Sequence, residues 1–589
     1  MGFVVDEKRI IPKTVRVIPD LPAVSKEFDY AVPIDWIESG LASQLTVGSL
    51  VRIQFRNRSI GAWVSQINPM TEPGIQLQSL KKFSSQGPSE EVVSLSRWAA
   101  NRWQGPVSRF LKAASPQRMV KSIPPSRPSR TVKMPASELV ASAFGAVPTV
   151  ARISPKGDRW PYIQAAVSLG NALILLPSAS EVGVVVNRLR RMGVHVGEYG
   201  KDWSIGLSGG TVVGNRSAAF ATVNGLSAIL MIDEHDESFQ EEASPTWHSR
   251  EVLLERARRL SIPCVFTSPI PTPEVRYQTR LINEEKTEEV QGWSSIKVID
   301  PREDNSAMGG LWPRSTVEAL KSAERSIVVL NRTGRARLLA CRQCGELAVC
   351  TDCGSAMHQL EDHLLQCIRF GHSRPVLCSV CLSTSMKNLR VGVTRAGEEL
   401  EALLNEPVTQ VTKETSLIDF QRSKVYLGTE AVLHRVDWAD LVVFADFDQE
   451  LLAKRYRCEE QALSKLVKAI RLVNRRSGDS ENVVVQSRQP NHPFFGVLLK
   501  GGIEAWCNKE SNRRAIIQYP PFGHFAVISG PGSEEYIAEV ATQGNLEVLG
   551  PNDGAWLVKS LRMEDLSEAL SKIPRPKKRL RLAIDPLRF

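Results

Sequence analysis

ALILLPSASEVGVVVNRLRRMG (residues 172–193) is an apolar run of strand length, a Pro-Ser turn and then a helical segment. Outward from it the alternation recurs, with AILMIDE (228–234), REVLLERARRL (250–260) and PCVFTS (263–268). Strands alternating with helices imply a parallel sheet whose faces are covered by those helices. A second series runs from SIVVLN (326–331) through KVYLGT (424–429) and DLVVFAD (440–446) to NVVVQS (482–487). The expected fold is multidomain α/β, with one parallel-sheet lobe over 146–285 and another over 286–490.

The flanks read differently. TVRVI, FDYAVP, GSLVRIQF and GAWVSQI alternate apolar and polar residues with period two, which predicts a β-rich domain over 1–85. VVSLSRWAANRWQGPVSRFLKAA (92–114) has helical spacing, and a compact winged-helix-like module is expected over 86–115. PQRMVKSIPPSRPSRTVKMP (116–135) holds five prolines and five basic residues and cannot sustain a helix or a central strand. It predicts a linker over 116–145. Beyond QPNHP, residues 491–589 read as a small α/β C-terminal domain. There are no internal repeats.

At about 150 residues per domain, a chain of 589 residues fits roughly four domains. The hydrophobic fraction of 42% argues against wholesale disorder. No apolar stretch reaches the roughly 20 residues of a membrane span, and the acidic residues near the N-terminus do not suit a signal peptide. Asp6 stands where N-myristoylation wants Ser or Thr after Gly2. The expectation is a cytoplasmic protein with no membrane partner. A net charge of +10 favours a polyanionic partner, through release of counterions from phosphates, with mere solubility as the plainer reading.

Of ten cysteines, seven lie between Cys341 and Cys381. Such density in a long intracellular chain points to metal ligands rather than disulfides. The C-x-x-C knuckles Cys341/Cys344 and Cys378/Cys381 would close an outer zinc site. Cys350, Cys353 and Cys367 would hold an inner one. Phe370 stands where a knuckle needs its second cysteine, so His372 is the candidate fourth ligand and His363 a weaker one. Redox or iron–sulfur chemistry is the alternative for C-x-x-C pairs.

The order of these features resembles the PriA family, superfamily 2 helicases that restart stalled replication forks. KEFDYAVP with Val47-Gly48-Ser49-Leu50-Val51 resembles the family's domain for a DNA 3′ end, and implies pocket residues Phe28, Asp29, Tyr30 and Gly48. Phe28 and Tyr30 also alternate as ordinary strand core residues do. VVGNRSAAFA (212–221) resembles a DNA-facing motif of the first helicase lobe and brings in Arg216. LNRTGRA (330–336), ADFDQELLAKRYRCEEQAL (445–463), YPPFGHFAVI (519–528) and AIDP (583–586) match further motifs along the chain. The resemblance implies RecA-like helicase lobes, with the zinc-binding insertion 341–381 inside the second.

The departures fall on nucleotide chemistry. A P-loop needs G-x-x-x-x-G-K-[ST], and the corresponding stretch is RISPKGDRWPY (152–162), with Lys156-Gly157 reversed and Pro155 removing an amide. Asp233-Glu234 is either a Mg²⁺-binding pair or a vestigial acidic motif shortened by one residue. KAIRLVNRRSGDSE (468–481) keeps Arg471, Arg475 and Arg476 but lacks the glycines of an arginine-finger segment. After Gly428-Thr429-Glu430, the expected Lys-Gly is His434-Arg435. ATP is therefore not expected as a cofactor, and loss of the phosphate cradle removes the stabilisation that phosphoryl transfer depends on.

The leading expectation is a replication-restart primosome protein that recognises forked, 3′-ended DNA and single-stranded junctions. It would serve as an assembly platform for loading the replicative helicase, without ATP-driven unwinding. Primosome and single-strand-binding proteins are partners that the resemblance implies. One alternative is a surviving DNA-dependent ATPase and 3′–5′ helicase with an unconventional nucleotide site. Another is a zinc-ribbon protein bound to RNA or to the transcription machinery. The basic linker (Arg118, Lys121, Arg127, Arg130, Lys133) and tail (Arg575, Lys577, Lys578, Arg579, Arg581) would add phosphate contacts, or would simply be solvated.

Overall fold

The computed structural model describes residues 11–24, 26–71, 74–303, 311–330, 338–361, 363–389, 393–412, 415, 423–473, 482–499 and 502–589. They form two compact units. One comprises 1–152, 159–283 and 512–587; the other comprises 153–158, 284–511 and 588–589.

In the first unit, β1 (Thr14–Pro19), β2 (Phe28–Ala31), β3 (Leu50–Phe55), β4 (Arg58–Ile67) and β5 (Lys82–Ser85) make an antiparallel sheet in the order β2-β1-β4-β3-β5. Its alternating residues Val15, Val17, Val51 and Ile53 are fully or almost fully buried, as period-two patterning requires. Helices Glu90–Arg102 and Val107–Ala114 follow. No strand forms among the described residues 86–148, so this helical module carries no β wing.

Next come β6 (Thr149–Arg152), β7 (Asn171–Leu175), β8 (Val196–Glu198), β9 (Thr211–Gly214), β10 (Leu226–Met231), β11 (Cys264–Ser268) and β12 (Arg280–Asn283). They pair in parallel in the order β12-β6-β11-β10-β7-β9-β8. Both faces carry helices, which is why Ala172–Leu175 is a continuous apolar run with every residue at 0% exposure.

The second unit repeats this logic. β13 (Ile296–Ile299) and β14 (Ser326–Val329) precede a cysteine-bearing insertion with short strands β15 (Leu339–Cys341), β16 (Met357–Glu361), β17 (Leu364–Cys367), β18 (Ser373–Pro375) and β19 (Met386–Asn388). β20 (Val408–Val411), β21 (Val425–Gly428), β22 (Leu441–Phe444) and β23 (Val483–Gln486) then complete a parallel sheet, ordered β13-β23-β22-β14-β21-β20.

The chain returns to the first unit with β24 (His524–Ser529), β25 (Glu547–Asn552), β26 (Ala555–Ser560) and β27 (Arg581–Ile584), an antiparallel sheet ordered β25-β26-β24-β27. One apolar cluster runs from the helical module (Phe110) through the first parallel sheet (Ile229) to this sheet (Ile528, Ile584). Two hydroxyls reinforce it: Ser244 Oγ donates to Leu582 O and Thr246 Oγ1 to Ile584 O, each at 2.8 Å.

Candidate functional site

The insertion is built from one turn used four times. Gly345, Gly354, Gly371 and Leu382 each donate a backbone N–H to the carbonyl of Cys341, Cys350, Cys367 or Cys378, at 2.9–3.2 Å. All four adopt positive φ, between +61° and +76°. Three are glycines, which reach that conformation without strain; Leu382 is the exception. Amides within the turns point at sulfur, with Gln343 N 3.4 Å from Cys341 Sγ and Arg369 N 3.4 Å from Cys367 Sγ. The third turn lacks its second cysteine: Phe370 takes that place and turns outward, while His372 enters two residues later.

Two groups of four ligand atoms result, Cys341/Cys344/Cys378/Cys381 and Cys350/Cys353/Cys367/His372, each with all atoms within 4.8 Å of one another. Cys341–Cys381, Cys344–Cys378 and Cys353–Cys367 sulfurs are 3.5 Å apart, and Cys350 Sγ lies 3.5 Å from His372 Nδ1. A tetrahedral zinc with Zn–S near 2.3 Å sets sulfurs about 3.8 Å apart. Donor types, number and spacing therefore fit one zinc per group. His363 belongs to neither group. Arg302 ties Asp300 to Glu346 and Arg488 donates to Gly345 O at 3.2 Å, so the first knuckle is fastened to its own lobe.

At the edge of the N-terminal sheet, an open cleft of about 990 Å³ is lined by Phe28, Asp29, Phe55, Arg16 and Arg56 among others. The β1/β2 register sets Arg16 opposite Asp29. The Arg16 guanidinium grips both carboxylate oxygens of Asp29, at 2.7 and 2.9 Å. A carboxylate offers about four acceptor sites, so Asp29 can still take a hydrogen bond from a ligand. Phe28 packs edge-on against Phe55 at 5.2 Å. Tyr30 also lines the cleft, but it is 5% exposed and donates its hydroxyl to Gln54 O at 2.8 Å, so its ring is largely core, and Phe28 and Phe55 are the more open aromatic faces.

Gly48 is not part of the cleft lining. Its φ is +89°, and a Cβ there would lie 1.7 Å from Pro88 O; a close backbone approach demands the glycine. Arg216 donates to Gln240 O at 2.9 Å and to Glu241 Oε2 at 2.7 Å, stapling the turn after the acidic motif. The cleft rim adds Met70, 95% exposed, and Ile75, which sequence reasoning did not single out. Their only signal is that they are apolar within a turn-rich loop.

In the first unit, Asp233 and Glu234 follow β10 after a single residue, Ile232. Arg159 Nη1 lies 2.5 Å from Asp233 Oδ2, and Asp233 is 1% exposed. Glu234, fully buried, accepts from Thr272 N (2.8 Å), Thr272 Oγ1 (2.9 Å) and Arg250 Nη1 (3.1 Å). The pair that would hold Mg²⁺ thus holds protein cations and donors.

In the second unit, the segment 153–158 uses its amides internally. Ser154 N donates to Glu284 Oε1 (2.5 Å), Lys156 N to Gly292 O (3.2 Å) and Gly157 N to Ser154 O (2.9 Å), while Pro155 has no N–H. The helix Cys458–Leu472 buries Ala469 and Ile470. Lys465 is clasped between Glu450 (2.6 Å) and Glu430 (3.1 Å), and Lys468 approaches His434 Nε2 at 3.2 Å. Arg475, Arg476 and LNRTGRA after Leu330 lie outside the described residues.

Two motifs of the resemblance act structurally. Asp448 accepts from Ser487 Oγ at 2.6 Å and from Arg488 N at 2.8 Å. Its neighbour Asp446 is pushed up to about 7 by burial and by the Asp448 charge. YPPFGH meets AIDP where His524 Nδ1 lies 2.7 Å from Asp585 Oδ2. Burial works against the imidazolium, but Asp585 outweighs it and raises the His524 pKa.

Residues 16–116 match the 3′DNA-binding domain (3′BD) of PriA. The chain is 26% identical over 432 residues to replication restart protein PriA of Bacillus subtilis, covering 65% of this chain and 52% of that protein. With the Haemophilus influenzae protein of the same name it is 26% identical over 357 residues, covering 56% and 48%. The chain thus spans about half the length of these curated relatives. With the Rickettsia conorii protein of that name it is 22% identical, covering 91% of this chain and 92% of that one. Among the described residues, no helix is long and apolar enough to cross a membrane.

Proposed function

Because the chain belongs to the PriA family of replication restart proteins, we propose that it recognises branched DNA carrying a free 3′ end. It would act as a platform on which the replicative helicase is loaded, without ATP-driven unwinding. The observation that carries the reading is the cleft of Phe28 and Asp29, which lies within the residues matched to a 3′DNA-binding domain.

In this mechanism Asp29, oriented by Arg16, accepts a hydrogen bond from the terminal 3′-hydroxyl. A 3′-phosphate brings negative charge to the same carboxylate and is repelled. Phe28 offers a face for the last base, a contact worth about 1–3 kcal/mol in single-strand binders. Arg56 and the rim at Met70 flank the incoming strand.

Absence of turnover is supported by the donors and cations that already occupy Asp233 and Glu234. Zinc, held by the seven cysteines and His372, would keep the insertion folded as a rigid surface for primosome and single-strand-binding proteins. Its role there is structural.

The test compares fork DNA ending in a 3′-hydroxyl with the same fork ending in a 3′-phosphate. Binding should favour the hydroxyl at least tenfold, and Asp29→Asn should shrink that ratio while the protein stays folded. Equal affinity for the two ends refutes the pocket.

A further inference from the structure

Residues 118–133 form neither helix nor strand, yet they are fastened along the first unit. Val120 N donates to Ser85 Oγ at 2.9 Å, and Val120 O accepts from Gln86 N at 2.7 Å. Ser129 Oγ accepts from His195 N at 2.8 Å, and Arg130 N donates to Gly193 O at 3.0 Å. Lys133 O accepts from Gln164 Nε2 at 3.0 Å. The segment is a strap pinned at several points along its length.

Its side chains divide by threes. Val120, Val132 and Pro135 are the partly buried residues from 119 to 135, and Ser129, bonded to His195, falls on the same row. The five cations, Arg118, Lys121, Arg127, Arg130 and Lys133, fall on a second row, broken only at Pro124. Period three is the repeat of the polyproline II helix, the conformation a Pro-rich segment favours, and it gathers residues i and i+3 on one side. The first row meets the protein at Val120, Ser129, Val132 and Pro135, with Ile123 and Ser126 exposed between them, and the second row faces solvent throughout.

All five cations are exposed, and among the described residues none of them forms an ion pair. From Ser115 to Ser137 there is no Asp or Glu to neutralise them. The nearby His195 imidazole registers this field: burial and then the Arg127 charge lower its pKa.

We infer that the strap is a ruler for a nucleic-acid phosphate backbone, in which a fixed polyproline II spine holds a single row of cations against a DNA duplex. At about 3.1 Å per residue, the cations recur every ~9 Å and the row spans about 46 Å, more than one turn of duplex. Recognition is by charge and spacing and carries no base information. The spine is already ordered and proline-stiffened, so binding orders little further chain. This surface rests on the DNA-binding reading above but is separate from the Phe28–Asp29 cleft.

The test uses the full chain and a blunt duplex without a free single strand, with affinity measured by fluorescence anisotropy as salt is varied. The substitutions Arg127→Gln, Arg130→Gln and Lys133→Gln together should flatten the log–log salt dependence by about 2–3, near 0.9 per lost phosphate contact. A second variant keeps the net charge but moves two cations off the row, by Arg130→Thr with Thr131→Arg and Lys133→Met with Met134→Lys. It should lose about two-thirds of the same slope change, because the spacing is spoiled. Melting temperature checks that both variants are folded.

In the triple variant, the preference for a 3′-hydroxyl over a 3′-phosphate fork should persist. A salt slope equal to wild type in the triple variant overturns the strap. So does a charge-conserving variant that binds as the wild type does. Wild-type protein that binds no DNA at low salt would instead refute the function proposed above.

Discussion

Asp446→Asn should stabilise the second unit, and more so as pH rises. Asp446 follows β22, and burial together with the Asp448 charge lifts its carboxyl from 3.8 to about 7. Between those values the unfolded chain has released this proton while the folded chain keeps it. Stability therefore falls as pH rises through that window and levels off above it. At about 1.4 kcal/mol per pH unit, the raised pKa costs stability roughly 1–2 kcal/mol near pH 5 and roughly 4 kcal/mol near pH 8. Asparagine cannot ionise and should recover those amounts. Because the chain has two compact units, no single unfolding free energy is defined, and a local probe is needed. Amide hydrogen exchange of residues 441–452 provides one, since variant and wild type at the same pH share intrinsic rates. A protection gain equal at pH 5 and pH 8, or a loss at both, would refute the buried-carboxylate account.

Two other outcomes are expected. Elemental analysis should find two zinc per chain, falling toward one in His372→Ala; an unchanged value of two would clear His372 as a ligand. Millimolar Mg-ATP should not raise the melting temperature, although a nucleotide at a hundred times its Kd would add about 2.7 kcal/mol. An upward shift abolished by Asp233→Ala with Glu234→Ala would return the chain to the ATPase reading.

The parallel sheets were legible because strands covered on both faces must be continuous apolar runs, as at Ala172–Leu175 and Val483–Val485. The metal groups were legible for a related reason. Ligands in C-x-x-C turns are close in sequence, and even the displaced His372 follows its turn by two residues. What escaped depended on distant partners. Asp233 and Glu234 are visible as an acidic pair, but their partners Arg159 and Thr272 lie 74 and 38 residues away. The Arg16–Asp29 fork needs the β1/β2 register, which alternation alone does not set. Gly48 and Tyr30 carried signals with two meanings. In this fold the glycine answers to Pro88 and the tyrosine to the core.

The interrupted chain path of the first unit bears on the order in which the protein can be made. Its shared apolar cluster needs β24, β26 and β27, and these leave the ribosome only after the whole second unit has been synthesised. Until then Ser244 and Thr246 lack Leu582 O and Ile584 O, the carbonyls they bond in the finished protein. The second unit, mostly one continuous stretch from 284 to 511, can close while the earlier half still waits. Shortening the chain within its final seventy-odd residues should therefore harm the oldest part of the nascent protein first, leaving a sticky, chaperone-dependent N-terminal half and an intact cysteine-rich second unit.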